Sequence, residues 1–390
     1  MAPQQRERTG PFTVLHISQP TVDGVARVVT NLVEEQVGRG WRVVLACPNA
    51  GWLSTDAVKR GAQHLEWKAM RNPNLSVISE ATALRQILTS VDPDLVHLHS
   101  SKAGLVGRLV LRGRAVTVFQ GHGWSFHPVC GLMRKVVVRW EVFAARWTHL
   151  LICESEGEKE EGVRVGVQAQ WAIAPNSVDI DHFRPPSDTE RRASRARVGT
   201  KGPTAVCVGR LCPAKGQDAL LDAWRSVLRA VPNAELFLVG GSPSSDSRLP
   251  GLLPARLPPH VRLVGQQDDV RPWLRAADVV VAPSRWDTHS IAILEAMACG
   301  RSLVATDVAG ARESVSKAGA IVPVDYRMAM SRAIVTRLMD ADLRECEGRA
   351  ARARVESLFS ARVCVHRIGD LYSLAMAPSS IPHPRARETR

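Results

Sequence analysis

Short runs of β-branched and other apolar residues alternate with helix-like segments along almost the whole chain, and this alternation constrains the fold most. In the first half, strands are predicted at 13–17, 42–46, 95–99, 115–119 and 150–153, with a helix at 25–38. In the second half, strands are predicted at 205–208, 235–239, 261–264, 279–282 and 303–305, with a helix at 217–230. Because strand and helix in alternation give parallel βαβ units, we predict an α/β protein with two doubly wound, Rossmann-like domains.

A proline-rich segment at 183–188 interrupts the alternation and precedes a highly charged stretch. We predict the domain boundary there, with a first domain at 11–185 and a second at 186–360. A helix predicted at 361–376 would cross back to brace the first domain, and the tail at 377–390 is expected to be disordered. Ligands of open parallel sheets bind beyond the carboxyl ends of the strands, so two facing sheets are expected to form a cleft.

The charge of the chain limits the classes of partner. The formal net charge is +13, and between positions 100 and 150 eight Lys or Arg residues accompany a single acid, Glu141. A phosphorylated substrate, an anionic membrane or a nucleic acid would suit this charge. The alternative is that the charge reflects the general amino-acid composition of the chain and serves no partner. Since no nucleic-acid-binding module accompanies the charge, we predict no nucleic-acid partner.

The cysteines and the apolar runs indicate a compartment. The eight cysteines form no Cys-x-x-Cys pair, and Cys47, Cys153 and Cys207 lie in predicted strands, where a thiol packs as a small hydrophobe. This favours a reduced, cytoplasmic protein. The amino-terminal segment lacks the apolar core of a signal peptide, and no run reaches the ~18 apolar residues of a spanning helix. Any membrane contact is expected to be peripheral, at the inner face of the membrane.

The stretch 286–300, WDTHSIAILEAMACG, places two carboxylates, Asp287 and Glu295, in a loop that follows a predicted strand and enters a predicted helix. Backbone N–H groups at Ser290 and Ile291, where the helix begins, would suit an anion. Glu295, about one turn further, could accept hydrogen bonds from sugar hydroxyls, because a carboxylate only accepts. A helix-capping role is the alternative for Asp287, and an exposed helix position is the alternative for Glu295.

A second basic motif, GRLCPAKG at 209–216, follows a predicted strand and opens a predicted helix. It contains Arg210 and Lys215. An arginine fork and a lysine point charge near a helix start complement a diphosphate, and each charge-assisted hydrogen bond contributes about 1.5–3 kcal/mol. Two basic residues flanking an ordinary βα turn are the alternative.

Two loops of the first domain also follow predicted strands. His122 lies between Gly121 and Gly123, and glycines let a backbone approach a ligand closely, so we predict a functional imidazole that donates a hydrogen bond or stabilises developing charge. A structural histidine is the alternative. The loop after the first strand contains Gly24 and is assigned to the cleft.

Basic and aromatic residues recur at helical spacing in the segment 131–147. This pattern is typical of a helix that lies on an anionic bilayer. A buried helix with a solvated basic face is the alternative. No metal-binding constellation is found, because the Asp-x-Asp pairs at 92–94 and 179–181 adjoin turn signals and are interpreted as caps.

These motifs closely resemble those of the retaining family-4 glycosyltransferases of the GT-B fold. The spacing of Asp287 and Glu295 resembles the family's Glu-x7-Glu signature, with Asp in place of the first Glu. The motif at 209–216 resembles the family's diphosphate-binding loop, and His122 with its glycines resembles the family's His-Gly element. The resemblance covers nearly all of the chain and is most specific in the second domain.

The resemblance implies a GT-B fold, with an acceptor-binding first domain and a nucleotide-sugar-binding second domain. It implies a retaining, metal-independent transferase that moves a sugar from a nucleotide-diphosphate sugar to an acceptor glycan or lipid-linked saccharide, in the synthesis of cell-surface polysaccharide or glycolipid. No cofactor beyond this donor is expected. A non-catalytic nucleotide-sugar-binding protein and a nucleotide-sugar epimerase are the alternatives.

The resemblance also assigns roles to individual residues. The residues assigned to the donor diphosphate are Arg210, Lys215, Ser290, Ile291 and Gly24. Glu295 is assigned to the nucleotide ribose. His122 and Asp287 are assigned to the transferred sugar as catalytic residues.

Overall fold

The computed structural model describes residues 10–70, 75–241, 253–254 and 256–377, except for the side chain of Val365. The chain divides into two compact units. The first contains the residues up to Pro175 and those from Cys364 onward, and the second contains 176–363. Apart from Ala377, the tail predicted at 377–390 lies outside the described residues.

The first unit is built on a parallel sheet. Its strands are β1 (Thr13–Ser18), β2 (Arg42–Cys47), β3 (Gln63–Glu66), β4 (Leu95–His99), β5 (Thr117–Gln120), β6 (Leu150–Cys153) and β7 (Trp171–Ile173). Its helices are α1 (Asp23–Gly38), α2 (Leu53–Lys59), α3 (Ser76–Val91), α4 (Ser100–Leu111), α5 (Gly131–Ala144) and α6 (Glu156–Arg164). The strand order is β3-β2-β1-β4-β5-β6-β7. The five strands predicted for this half of the chain are confirmed, whereas β3 and β7 were missed.

The second unit repeats this design. Its strands are β8 (Thr204–Val208), β9 (Glu235–Val239), β10 (Val261–Gly265), β11 (Val279–Ala282), β12 (Ser302–Thr306) and β13 (Gly319–Val322), in the order β10-β9-β8-β11-β12-β13. Its helices are α7 (Asp188–Val198), α8 (Gln217–Ala230), α9 (Arg271–Ala276), α10 (Ile291–Ala298), α11 (Ala311–Val315), α12 (Arg327–Met339) and α13 (Ala341–Leu358). The helix predicted at 217–230 coincides with α8, and the predicted strands are confirmed.

The boundary between the units lies earlier than the predicted position after residue 185. The chain passes into the second unit between Pro175 and Asn176. The physical reason is hydrogen bonding, because the backbone N–H of Val178 donates to the carbonyl oxygen of Phe359 at 2.9 Å. The charged stretch after the proline-rich segment forms α7, whose first turn is fixed by a capping box between Ser187 and Glu190.

The last described helix, α14 (Ala361–Met376), returns to the first unit, to which its residues from Cys364 onward belong. Ile368 and Tyr372 are buried there against Val14 of β1 and Leu95 of β4. The helix thus covers one face of the first sheet. None of the described helices combines the length and apolar character needed to cross a membrane.

Each sheet has a point at which the strand order reverses. It lies between β1 and β4 in the first unit and between β8 and β11 in the second. Loops that leave the carboxyl ends of strands on either side of such a switch point diverge and leave a crevice for a ligand. The predicted motifs at Arg210 and Asp287 lie in the loops after β8 and β11, and Gly24 lies in the first turn of the helix that follows β1.

Candidate active site

The loops after β8 and β11 touch through their backbones. Gly216 directly precedes α8 at a φ of +63°, and a Cβ atom added to it would lie 2.0 Å from the carbonyl oxygen of Pro283. The backbone N–H of Arg285 donates to the carbonyl oxygen of Ala214 at 2.8 Å. Only glycine permits both the left-handed φ and the close approach, so Gly216 sets the distance between the two loops.

The side chain of Arg285 holds the same two loops together. Its guanidinium donates to both carboxylate oxygens of Asp218 at 2.7 and 2.8 Å, and to the carbonyl oxygen of Pro213 at 3.2 Å. The hydrogen bonds that Asp218 accepts from the guanidinium raise the pKa of Arg285 above its ordinary value. Sequence analysis missed Arg285, because its partner lies 67 positions away and no local pattern marks it.

Lys215 and Asp287, predicted in separate motifs, form an ion pair across these loops. The Nζ atom of Lys215 lies 2.6 Å from Oδ2 of Asp287, and the backbone N–H of Thr288 donates to Oδ1 at 3.1 Å. Burial alone would raise the pKa of Asp287, but Lys215 and a hydrogen bond from Ser290 lower it below its ordinary value. Asp287 is therefore a carboxylate at neutral pH and fixes the ammonium group of Lys215.

Helix α10 begins beside this ion pair. The side chain of Ser290, the residue before Ile291, makes no capping hydrogen bond to the helix. A small pocket at this point is lined by Asp287, Ser290 and Ile293, together with residues at the ends of β11 and β12. Glu295 lies one turn further, is buried, and is not part of this lining, so its contact with a ribose stays a prediction.

Arg210 is exposed immediately after β8. Its carbonyl oxygen accepts a hydrogen bond from the side-chain amide of Gln217 at 2.8 Å, and Gln217 is buried at the start of α8. The backbone of Arg210 is thus anchored although the residue as a whole is exposed. Lys215, Ser290, Ile291 and Arg210 all belong to the second unit, whereas Gly24 lies in the first turn of α1 in the first unit.

His122, in the first unit, has an unusual backbone conformation, and both of its ring nitrogens have hydrogen-bond partners. Its φ is +52°, a region that non-glycine residues seldom occupy. Its Nδ1 atom lies 2.6 Å from Oε1 of Glu154, and its Nε2 atom lies 3.2 Å from Nδ1 of His99. Both ring nitrogens therefore have partners inside the unit. A hydrogen bond from this ring to a sugar, as the sequence predicted, would replace one of them.

Sequence analysis missed Glu154 and His99 as partners of His122. His99 is the last residue of β4, and Glu154 directly follows β6. Both stand at the carboxyl ends of predicted strands, and this position is the signal that would have found them. The sheet order then brings them together, because β4 and β6 flank β5, which precedes His122.

The basic character of the first unit is partly neutralised within it. Arg108 is buried against Glu141, with a nitrogen-to-oxygen distance of 2.8 Å, and Lys102 is buried at the same distance from Glu80. Two of the eight basic residues between positions 100 and 150 are therefore not available to a partner.

Comparison with known proteins links both units to sugar-transferring enzymes. Residues 22–182 match the family model for Glycosyltransferase Family 4, and residues 202–340 match the model for Glycosyl transferases group 1. The UDP-Gal:alpha-D-GlcNAc-diphosphoundecaprenol alpha-1,3-galactosyltransferase of Escherichia coli is 28% identical over 76% of this chain and 80% of that enzyme. The GDP-mannose-dependent alpha-(1-6)-phosphatidylinositol monomannoside mannosyltransferase of Mycobacterium tuberculosis is 28% identical over 85% of this chain and 90% of that enzyme.

The fold is shared with solved structures. The crystal structure of Anabaena Alr3699/HepE in complex with UDP-glucose aligns with a TM-score of 0.80 at 20% identity, over 93% of this chain and 99% of that chain. The two parallel, doubly wound sheets are those of the GT-B architecture.

Proposed function

Because the chain belongs to the family-4 glycosyltransferases, we propose that it transfers a sugar from a nucleotide-diphosphate sugar to a hydroxyl group of a lipid-linked or glycolipid acceptor. We further propose that transfer retains the anomeric configuration and needs no catalytic metal. The observation that carries the proposal is the Lys215–Asp287 ion pair beside the start of α10. The relatives are a galactosyltransferase and a mannosyltransferase, which favours transfer over epimerisation or binding alone.

The donor diphosphate would be bound by the second unit. Lys215 supplies an ammonium group fixed by Asp287, the start of α10 supplies backbone N–H groups, and Arg210 supplies an exposed guanidinium. These groups stabilise the negative charge that grows on the leaving diphosphate. Their positive charge supports a reaction without a metal ion.

Retention follows if the acceptor hydroxyl attacks the sugar from the face that the diphosphate leaves. The bond between the anomeric carbon and the phosphate oxygen breaks, and a bond from the same carbon to the acceptor oxygen forms. The acceptor proton passes to the departing phosphate oxygen. Since no side chain must act as the general base, an aspartate at position 287 is compatible with the reaction.

The test uses the purified full chain with radiolabelled UDP- and GDP-sugars, and with GlcNAc-diphosphoundecaprenol or phosphatidylinositol monomannoside as acceptor. We expect a product whose anomeric NMR signals show retention, at a rate unchanged by EDTA. Arg210→Ala and Lys215→Ala should each lower kcat/KM roughly 10- to 150-fold, the equivalent of one charge-assisted bond. Arg229→Ala, on the exposed end of α8, is the control. Absence of transfer and of thermal stabilisation by every nucleotide sugar would overturn the proposal.

We also propose that α5 contacts an anionic membrane, where a lipid-linked acceptor would reside. Leu132, Met133 and Val136 are 76%, 58% and 51% exposed on the first turns of this helix. Arg134 and Lys135 lie between them and are also exposed. Apolar side chains interleaved with cations suit the boundary between acyl chains and anionic headgroups.

Sedimentation with lipid vesicles tests this contact. We expect binding to vesicles that contain phosphatidylglycerol and little binding to pure phosphatidylcholine. Replacing Arg134 and Lys135 by alanine removes about 2 kcal/mol of binding free energy, so the affinity for these vesicles should fall roughly 30-fold. Arg229→Ala should leave this affinity unchanged. Equal binding to both kinds of vesicle would contradict an electrostatic contact.

A further inference from the structure

Buried side chains of the first unit form a continuous hydrogen-bonded chain that leads away from His122. The members, here called the histidine wire, are Glu154, His122, His99, His16, Gln36 and Tyr372. Beyond the two contacts of His122 described above, Nε2 of His99 lies 2.9 Å from Nδ1 of His16, and Nε2 of His16 lies 2.7 Å from Oε1 of Gln36. The side-chain amide of Gln36 donates to the hydroxyl of Tyr372 at 3.3 Å.

The inner histidines of the wire are neutral. His16 and His99 are fully buried, and burial lowers the pKa of His16 to about 4 and that of His99 well below its ordinary value. A neutral imidazole carries one N–H and one lone pair, so a ring that donates at one nitrogen must accept at the other. The direction of one hydrogen bond therefore fixes the direction of the next.

In the observed arrangement, the orientation of the Gln36 amide fixes the direction of every hydrogen bond between Gln36 and His122. Its Oε1 atom can only accept, so His16 donates from Nε2 and accepts at Nδ1 from His99. His99 then accepts at Nδ1 from Nε2 of His122. Because Nδ1 of His122 also faces Oε1 of Glu154, a second proton lies between that nitrogen and the carboxylate.

Rotating the amide of Gln36 by half a turn reverses the wire. The amide nitrogen now donates to His16, His16 donates to His99, and His99 donates to Nε2 of His122. His122 keeps a proton only at Nδ1, facing Glu154. The hydroxyl of Tyr372 accepts from Gln36 in the first arrangement and donates to it in the second. Nδ1 of His97, 2.6 Å from the same hydroxyl, correspondingly accepts in the first arrangement and donates in the second. The two arrangements differ by one proton, which leaves the pair formed by His122 and Glu154.

We propose that the histidine wire couples loss of this proton to reversal of its hydrogen bonds, so that His99, His16 and Gln36 are positioning residues for His122. The consequence for catalysis rests on the function proposed above, whereas the wire itself does not. The wire would make the site switch between two defined protonation states. An arrangement in which only some of the hydrogen bonds have reversed is unfavourable, because two lone pairs or two N–H groups then face each other.

Other titratable groups surround this part of the unit. Glu158 of α6 accepts from the backbone N–H of Gly123 at 3.0 Å and from that of Glu154 at 2.7 Å. Burial, followed by the charge of Glu154, raises the pKa of Glu158 to about 8. His97 touches the end of the wire, with Nδ1 2.6 Å from the hydroxyl of Tyr372, but does not lie on the path to His122.

A shared metal ion is the competing explanation for part of this cluster. Among the residues that the structure describes, His16, His97 and His99 are the one group whose ligand atoms lie close enough, within 4.8 Å, to hold one. The contact of 2.9 Å between His16 and His99 has the length of a hydrogen bond, which favours the wire.

The test is 15N NMR of the histidine side chains in the full chain during a pH titration, without donor or acceptor. We expect His16 and His99 to exchange tautomers in the same transition in which His122 loses a proton. Gln36→Met and His99→Phe should abolish this coupled exchange. His97→Phe, equally buried on the same strand, should preserve it, and circular dichroism of each variant reports whether it is folded.

Tautomers of His16 and His99 that stay fixed while His122 titrates would overturn the proposal. So would zinc binding that His99→Phe abolishes. In the transfer assay, we expect His99→Phe to alter the pH profile of kcat and His97→Phe to leave it unchanged. Because the NMR experiment needs no substrate, failure of the proposed transfer reaction would leave the test of the wire intact.

Discussion

Replacing Gly216 by alanine tests whether the close approach of two backbones builds the donor site. The left-handed φ of +63° would cost an alanine about 1–2 kcal/mol. Its Cβ atom would also lie 2.0 Å from the carbonyl oxygen of Pro283, at least 1.0 Å closer than the 3.0 Å below which real Cβ contacts are essentially never found. Relieving this overlap adds about 1–3 kcal/mol. We therefore expect Gly216→Ala to lower the free energy of unfolding by about 2–5 kcal/mol in total.

The displacement should also reach the ion pair. Lys215 directly precedes Gly216, and its contact with Asp287 is 2.6 Å. Moving the loops apart by about 1 Å would lengthen this contact beyond hydrogen-bonding distance. We expect the affinity for the nucleotide sugar to fall at least about tenfold, the equivalent of one charge-assisted hydrogen bond.

The matched control is Gly199→Ala in the same unit. Gly199 has a φ of +70°, and the one atom near its added Cβ is the end of the flexible Arg262 side chain, at 3.3 Å. Denaturant unfolding and donor KM are measured for both variants. Both variants bear the cost of placing an alanine at a left-handed φ. The difference between their losses in the free energy of unfolding therefore measures the overlap with Pro283. Equal losses of stability and unchanged KM in both variants would refute the reasoning.

Three further predictions concern the same loops. Lys215 lowers the pKa of Asp287 although burial alone would raise it, so the stability from this carboxylate is present above its unfolded pKa of about 3.9 and is lost as pH falls through the folded pKa. The stability difference between wild type and Asp287→Asn, measured by denaturant unfolding, should stay constant above about pH 5 and shrink below pH 4; a growing difference would contradict the ion pair. Asp287→Glu extends the side chain by about 1.5 Å and should change the preferred donor sugar in a KM panel while nucleotide affinity persists, whereas loss of nucleotide affinity alone would contradict this role. Arg285→Lys replaces the bidentate contact with Asp218 by a point charge and should lower the free energy of unfolding by about 1.5–3 kcal/mol. An unchanged unfolding midpoint would contradict the role of Arg285 in holding the two loops together.

Local pattern predicted the central elements because their burial is reflected in their sequence. Strand β11 is a run of valines and alanine, which is what a parallel strand covered on both faces requires. Helix α8 buries Leu220, Trp224 and Val227 at helical spacing, so both of its ends were found. Strands β3, β7 and β13 lie at sheet edges, are mostly half-buried or exposed, and are only four, three and four residues long, so they give a weak local signal and were missed.

The site was predicted as a set of chemical groups but not as a set of partners. The motifs at Arg210, Lys215, Asp287 and His122 were found because each follows a strand and combines glycine or a helix start with a charged or polar side chain. Nothing near Lys215 indicates that its ammonium group meets Asp287, 72 positions later. Local pattern reports the environment of a residue and not the identity of a distant neighbour.

The sequence by itself determined two doubly wound sheets and the loops in which polar groups gather, because strand burial and loop chemistry are local properties. The tertiary structure alone decided which groups meet. The order of strands β1, β4, β5 and β6 brings His16, His99, His122 and Glu154 into one hydrogen-bonded chain, and α14 adds Tyr372. Since hydrogen bonds and ion pairs act over about 3 Å, the packing of distant segments creates the site that the separate motifs only suggest.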